Sequence, residues 1–212
     1  MSLLAAKGGP ASELSSDDLR DTLHTALASL GDRRRVLAVP PDFTRRDSQA
    51  GLLTQFAYQF YGSRLTDVLP ALGTHTPMSD QSIATMFGNI PRALFRDHNW
   101  RTDTRKLGEI PSSFLREQSE GKLDSTWPVE VNQLVVGGDF DLILSIGQVV
   151  PHEVAGMANH SKNILVGTDF PWGRLTIQQT LKGLLAQGFS PAELRAIERE
   201  NALGLFPRFS AR

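Results

Sequence analysis

The stretch VLAVPPDFTRR, residues 36–46, places a short apolar run directly before a polar loop. An apolar run of this length, bounded by turn-forming residues, predicts a buried β-strand. A second such run, DLILSIGQVV at 141–150, predicts another buried strand. The segment VEVNQLVV at 129–136 alternates as a strand does, and the centre of RLTDVLPALGTH at 64–75 is strand-like although Pro70 interrupts it.

Helical patterns lie between these strands. Leucines recur at helical spacing behind the capping sequence SSDD at 15–18, which predicts a helix that ends at Gly31. We expect further helices over 52–61 and over 80–88. Because short apolar strands alternate with helices, the sequence predicts an α/β fold with a largely parallel sheet and flanking helices.

The 212-residue chain has the composition of a globular protein, with 40% hydrophobic and 21% charged residues. Its length suits one large domain or two small ones. We expect a flexible leader over 1–14, an α/β domain over 15–167 and a helical tail over 168–212 packed on that domain. Helices over 175–187 and from Ser190 onward would make this tail a hairpin.

The net charge of −1 and the lack of cysteine narrow the function classes. A near-neutral chain gives no indication of a nucleic-acid or membrane-surface partner. Without cysteine, disulfides, thiolate metal sites and cysteine nucleophiles are excluded. No apolar run approaches the ~18 residues of a membrane span, and the first residues do not read as a signal peptide. We therefore expect a soluble, cytoplasmic protein.

Polar clusters follow the predicted strands. In parallel α/β sheets, ligand-binding and catalytic residues usually lie in the loops at these strand ends. The first is DFTR at 42–45, whose carboxylate, hydroxyl and guanidinium can bind an anionic ligand. An Asp–Arg pair that only shapes the turn is the alternative.

The second cluster is GTHTPM at 73–78, where His75 is a candidate general base or metal ligand. A histidine that hydrogen-bonds the loop backbone is the alternative there.

The third cluster is PHEVAGMANHSK at 151–162. His152 follows the predicted strand directly, and Lys162 is a candidate amine nucleophile or phosphate anchor. A helix-end lysine beside solvated histidines is the alternative. Three clusters at the strand ends of one α/β domain favour a functional site. For His98, in RDHNW at 96–100, the segment could form a substrate wall or a surface loop, and we favour the loop.

Several ordered motifs resemble the N-terminal domain of the lactate racemase family, the nickel-pincer-nucleotide enzymes. The motifs are PPDFTR, ALGTHTPMS, HNW and VEVNQLVVGGDFDLILSIGQVVPHEVAGMANHSKNILVG, and they cover roughly residues 36–167. The resemblance implies racemisation or epimerisation of a 2-hydroxy acid by hydride transfer. It also implies the cofactor, a pyridinium bis-thiocarboxylate mononucleotide nickel complex.

The resemblance assigns roles to the residues that match the family motifs. The nucleotide-binding Asp-x-Thr-Arg loop of the family is matched by Asp42, Phe43, Thr44 and Arg45. His75 and His152 match the two opposing acid/base histidines, and Lys162 matches the lysine that tethers the cofactor. None of these residues is assigned as a nickel ligand. The cofactor's own sulfur and carbon ligands would explain how a chain without cysteine holds a soft metal.

The chain departs from that family in length and in two local features. Family members are about twice as long, and their second domain contributes substrate-binding residues and closes the cleft. No histidine follows His160 to match the family's nickel histidine, and GMANHSK replaces its usual glycine- and serine-rich segment. We therefore expect the isolated chain to be inactive and to need a second domain or subunit, or to form a homo-oligomer. A non-catalytic subunit that binds a nucleotide or another anion is the alternative.

The tail, over 164–209, resembles the C-terminal end of metal-dependent amidohydrolases. It has a strand end GTDFP, followed by a sequence typical of two helices that finish in ENALGLF. In that family the aspartate, here Asp169, is a catalytic metal-site residue. Because the chain lacks the other strands and histidines of such a barrel, a hydrolase fragment is the most distant alternative.

Overall fold

The computed structural model describes residues 3–152 and 156–157. Its helices are α1 (Ser16–Ser29), α2 (Ala50–Tyr61), α3 (Asp80–Phe87), α4 (Ser112–Gln118) and α5 (Gln133–Gly137). Its strands are β1 (Val36–Val39), β2 (Leu65–Val68), β3 (Thr104–Ile110), β4 (Trp127–Asn132), β5 (Leu142–Ser145), β6 (Pro151–His152) and β7 (Gly156–Met157). The predicted helical tail lies outside the described residues.

The central sheet contains three parallel strands in the order β2–β1–β5. The middle strand, β1, is buried along its whole length, and its residues alternate between two apolar clusters. Val36 and Ala38 pack with residues of α1, α2 and α3, whereas Leu37 and Val39 pack with residues of α5. Helices thus cover both faces of a parallel sheet, which confirms the predicted α/β fold.

The first helices begin where the sequence predicts them. The Ser15 hydroxyl accepts a hydrogen bond from Asp18 N at 3.1 Å, and the Asp18 carboxylate accepts one from Ser15 N at 3.0 Å, a capping box that starts α1. Near the start of α2, Gly51 lies against α3, where a Cβ atom would come within 2.1 Å of Met86 O. Glycine at this position therefore sets the close approach of the two helices.

An antiparallel arm, β3–β4, extends from this sheet, and α4 lies in its connection. The sequence did not predict β3 or α4. The predicted strand over 129–136 is wrong in its second half, because β4 ends at Asn132 and α5 follows. The Asn132 side-chain oxygen accepts a hydrogen bond from Leu134 N at 2.8 Å and caps that helix. The strand predicted over 141–150 is also shorter, since β5 ends at Ser145.

Candidate functional site

The carboxyl ends of β1 and β2 lie side by side at one edge of the sheet. The two segments stay paired beyond the strands, where Pro41 and Ala71 form a parallel bridge. Ala71 N donates a hydrogen bond to Pro40 O at 2.8 Å. This pairing carries the loops at 42–45 and 73–78 to the same edge, which is where ligands bind in parallel α/β sheets.

Asp42 is a buried carboxylate at the start of the first loop, with 6% of its surface exposed. Its Oδ1 accepts hydrogen bonds from Thr44 N, at 3.1 Å, and from the Thr44 hydroxyl. These contacts cap a 3-10 turn over Phe43–Ser48 and fix the carboxylate plane. The second oxygen, Oδ2, points to the neighbouring loop.

The second carboxylate oxygen of Asp42 contacts the ring of His75. Its Nδ1 lies 2.5 Å from Asp42 Oδ2, although 54% of the histidine side chain is exposed. A tight turn presents the ring: Gly73 has φ 57°, in the left-handed region, and His75 N donates to Leu72 O at 2.9 Å. The backbone alternative considered for His75 therefore does not describe its ring, which pairs with a carboxylate.

The contact with Asp42 determines which ring nitrogen of the neutral His75 imidazole carries the proton. A carboxylate is an acceptor, so the proton lies on Nδ1 and the lone pair lies on Nε2. In an Asp–His pair of this kind the carboxylate orients the ring and stabilises the imidazolium that forms when Nε2 takes a proton. Such a pair can serve as a general acid and base at a half-exposed edge.

Arg45 is the nearest cation along this loop, and its side chain is exposed. Within the part of the chain that the structure describes, its guanidinium has neither a carboxylate nor a carbonyl partner. Arg46, the next residue, does have partners. Its guanidinium lies 5.3 Å from the centre of the Phe43 ring and 3.6 Å from the Asp47 carboxylate. Arg45 is thus the guanidinium of the DFTR loop that remains available to an anion.

The third sequence cluster is only partly described. The strand β5 runs parallel to β1, and Ile146 N donates to Val39 O at 3.1 Å, so the chain leaves the sheet at the edge that holds Asp42. Its continuation forms the short antiparallel pair β6–β7, in which His152 is paired with Gly156. The side chain of His152 and all of Lys162 lie outside the described residues, so neither is placed relative to His75.

The loop over 95–103 begins beside the carboxyl end of β2, where Phe95 forms a parallel bridge with Val68. The interpretation of His98 as a surface residue is wrong, because only 6% of it is exposed. Its Nδ1 lies 2.8 Å from the side-chain nitrogen of Asn132 on β4. Burial lowers the pKa of His98, and the nearby Asp103 carboxylate opposes that effect. The apolar neighbours Phe95 and Trp100 are the sequence signal for this burial.

An open cleft of about 660 Å³ is lined by this loop, the β3–β4 arm and α5. Arg96, Asp103, Arg105 and Asn132 are among the residues that line it. In residues 3–152 and 156–157, no three histidine or carboxylate side chains are grouped as metal ligands. No helix in those ranges is long and apolar enough to cross a membrane.

These features define a class: a parallel α/β domain with an aspartate-oriented histidine at the carboxyl edge of its sheet. The chain belongs to the lactate racemase N-terminal domain family, whose model matches residues 19–180. The match confirms the resemblance seen in the motifs. It extends beyond their range at both ends and includes the segment with His152 and Lys162.

Two solved structures show similarity to this chain. A protein from Thermotoga maritima, known from a crystal structure, is 27% identical with a TM-score of 0.62, over 76% of this chain and 40% of that one. The lactate racemase apoprotein from Thermoanaerobacterium thermosaccharolyticum is 20% identical with a TM-score of 0.43, over 70% of this chain and 31% of that one. This chain thus spans less than half the length of either protein. No curated protein matches it.

Proposed function

We propose that this chain is the cofactor-binding half of an enzyme that racemises or epimerises a 2-hydroxy acid by hydride transfer. Membership of the lactate racemase N-terminal domain family supports the reaction class. The hydrogen bond between Asp42 and His75 is the observation that carries the proposal, since it prepares Nε2 of an accessible histidine as a base. Removal of the hydroxyl proton is what such a reaction first requires.

The nickel-pincer nucleotide has a phosphate, and the described residues offer a partner for it. Arg45 has an exposed guanidinium without a partner in the described part of the chain, and a guanidinium binds phosphate through two parallel hydrogen bonds. Asp42 is engaged by Thr44 and His75, so we assign it to orient the histidine rather than to touch the nucleotide. Lys162 is the proposed covalent tether on the basis of its family motif.

When bound, the cofactor supplies the acceptor, and then the donor, of the substrate's α-hydride. His75 Nε2 takes the hydroxyl proton of the 2-hydroxy acid, and the Asp42 carboxylate stabilises the resulting imidazolium. The stereocentre would invert when the hydride returns to the opposite face of the ketone carbon, and His152 is the proposed acid/base group that returns the proton to the oxygen on that side. Imidazole suits both transfers because it accepts and donates protons near neutral pH.

A second domain or subunit would complete the site. The chain covers 40% of the length of the Thermotoga maritima protein, which leaves room in such relatives for further substrate-binding residues. The half-exposed ring of His75 has one side open to such a partner. We propose that this partner binds the substrate carboxylate and excludes water from the site.

The test is intact mass and nickel content after co-expression with the enzymes that make the pincer nucleotide. We expect a mass increment equal to the nucleotide, together with nickel, in the parent chain, and neither in Lys162→Ala. Lys122→Ala, which changes a lysine on the connection of the β3–β4 arm, is the matched control and should retain both. An unmodified, nickel-free parent chain would overturn the proposal.

The alternative is a non-catalytic subunit that binds a nucleotide or another anion, and the free guanidinium of Arg45 favours it as well. The two functions separate when the loaded chain is assembled with its partner and given a 2-hydroxy acid. Interconversion of the stereoisomers supports the enzyme. A loaded and assembled protein that does not turn over, and whose binding does not need His75, supports the anion-binding subunit.

A further inference from the structure

We propose that His98 and Asn132 form an acid-sensitive clamp that holds the loop over 95–103 on the β3–β4 arm and thereby sets the width of the cleft. The two residues are 34 positions apart, and each is only 6% exposed. Their side-chain nitrogens lie 2.8 Å apart. The clamp is separate from the proton transfers assigned to His75.

The hydrogen atoms of this contact follow from the backbone. Leu134 N carries a proton, so the Asn132 atom that faces it at 2.8 Å must be the side-chain oxygen. The side-chain NH₂ of Asn132 therefore faces His98 and acts as a donor. His98 Nδ1 must accept, which leaves the proton of the neutral ring on Nε2, a buried atom with no hydrogen-bond partner among the described residues.

Protonation of His98 removes this acceptor. Both ring nitrogens of an imidazolium are donors, so Nδ1–H would then oppose the NH₂ of Asn132. Rotation of the amide by 180° would restore an acceptor for His98 but would withdraw the oxygen from Leu134 N and uncap α5. The buried pair thus has no arrangement that satisfies the charged ring and the helix cap together.

The surroundings of His98 favour the neutral ring at neutral pH. Burial lowers its pKa from the usual 6.5, the Asp103 carboxylate in the same loop opposes this, and Asn132 on β4 is neutral. Arg96 and Arg105 line the cleft beside Asn132. Because the open or unfolded state has the higher pKa, the clamp is fully stable above about 6.5 and weakens as the pH falls below it.

The position of the clamp connects it to the cleft. Asn132 and Asp103 both line the cleft, and Gln133 N donates to Asp103 O at 2.7 Å at the far end of the loop. Release of His98 leaves this bond in place, and also the bond from Arg96 N to Val68 O at 2.9 Å at the other end of the loop. We therefore expect the loop to open around His98, between these two anchors.

Nitrogen NMR of the histidine rings in the full chain tests the first step. Chemical shifts distinguish a ring protonated on Nε2, on Nδ1 or on both, and assignment follows from His98→Asn. We expect His98 to be neutral with its proton on Nε2 at about pH 7.5. A proton on Nδ1, or a charged ring at that pH, would overturn the clamp.

Hydrogen exchange of the loop tests the second step, with rates corrected for the intrinsic effect of pH. Below about pH 6.5 we expect loop protection to fall by up to about tenfold per pH unit, the limit for a single proton. His98→Asn keeps an acceptor near the position of Nδ1 but does not titrate, so its protection should not depend on pH. Asn132→Asp accepts from a charged ring and still caps α5, so its protection should rise as the pH falls.

His24 provides the matched histidine control. Its Nε2 lies 3.1 Å from Phe56 O, so protonation leaves that hydrogen bond intact. His24→Gln should therefore keep the pH dependence of the 95–103 loop. The proposal would be refuted if loop protection in His98→Asn had the same pH dependence as in the parent. It would also be refuted if NMR showed that His98 titrates in the parent while the loop protection did not change with pH. Far-UV circular dichroism of each variant checks that it is folded.

Discussion

Asp42 and His75 are 33 positions apart in the sequence, and Asp42 Oδ2 lies 2.5 Å from His75 Nδ1. The contact joins the loops that follow two neighbouring parallel strands. The Asp42 side chain is 8% exposed, whereas that of His75 is 54% exposed. Since the carboxylate is also held by Thr44, it can fix the orientation of the imidazole while the rest of the ring stays accessible.

Asp42→Asn should leave the fold intact and remove this orientation. The amide can present either an oxygen or an NH₂ to His75, so the preference for a proton on Nδ1 is lost. We expect the activity of the loaded, assembled enzyme to fall by about 10²-fold, the scale of a mispositioned general base. Ring-nitrogen NMR of His75 should show a mixture of tautomers in the unloaded chain.

Asp67→Asn is the control for that substitution. Asp67 is equally buried, but its carboxylate pairs with Arg96 Nε at 2.7 Å on the other side of β2. Its loss should lower stability without changing the tautomer of His75. An unchanged tautomer in Asp42→Asn, or the same change in both variants, would contradict an orienting role for Asp42.

Arg45→Ala should abolish or strongly reduce nucleotide loading at little cost in stability. The guanidinium is exposed and has no partner in the described residues, so we expect the free energy of unfolding to change by less than about 0.5 kcal/mol. Intact mass gives the loaded fraction, and urea denaturation gives the stability. Arg46→Ala is the matched control, because Arg46 contacts Phe43 and Asp47 instead. Equal loading in both variants would exclude Arg45 from the phosphate site.

The sequence predicts β1 and β5 well because each lies in a short, apolar run. The strand β2 includes Thr66 and Asp67, so its signal is weaker. The edge of the site is predicted because the polar clusters at 42–45 and 73–78 come soon after β1 and β2 in the sequence. It does not predict that Asp42 and His75 are paired. That contact depends on which strands are neighbours, a relationship that no local pattern encodes.

The β3–β4 arm shows where local patterns mislead. VEVNQLVV alternates throughout, but the Asn132 side chain caps a helix in its middle. The polar sequence of β3 is exposed along most of its length, so it lacks the apolar signal of a buried strand. The charged neighbours Arg96 and Asp97 favour a surface position for His98, and its contact with Asn132 on β4 becomes visible only in the fold.

Gly51→Ala should destabilise the chain by about 1–3 kcal/mol, the usual cost of overpacking a tight contact. The added methyl group would lie 2.1 Å from Met86 O and 2.9 Å from the Met86 carbonyl carbon, so α2 and α3 must separate. Gly137→Ala is the control, because a Cβ there meets nothing within 4 Å among the described residues. Urea unfolding should show a loss of stability only for the first variant. Equal stability would mean that the α2–α3 contact is looser than described.

Tyr61→Phe should raise the stability of the chain. The Tyr61 ring is 3% exposed, and its buried hydroxyl has no hydrogen-bond partner among the described residues. A buried, unsatisfied hydroxyl costs about 1 kcal/mol or more, and phenylalanine keeps the packing against Phe60 and the Arg64 guanidinium. We expect the free energy of unfolding to rise by about 1 kcal/mol.

The alkaline pH dependence gives Tyr61→Phe a second readout. Burial raises the pKa of Tyr61 above its usual 10.0, and the Arg33 and Arg64 guanidinium groups oppose this. Between the unfolded and folded pKa values the folded state holds the proton, so this residue makes the parent chain less stable as the pH rises above about 10. The variant should lack that loss in urea unfolding, whereas Tyr58→Phe, which removes a hydroxyl from a partly buried position of the same helix, should retain it. A destabilised Tyr61→Phe would show that the hydroxyl makes a hydrogen bond.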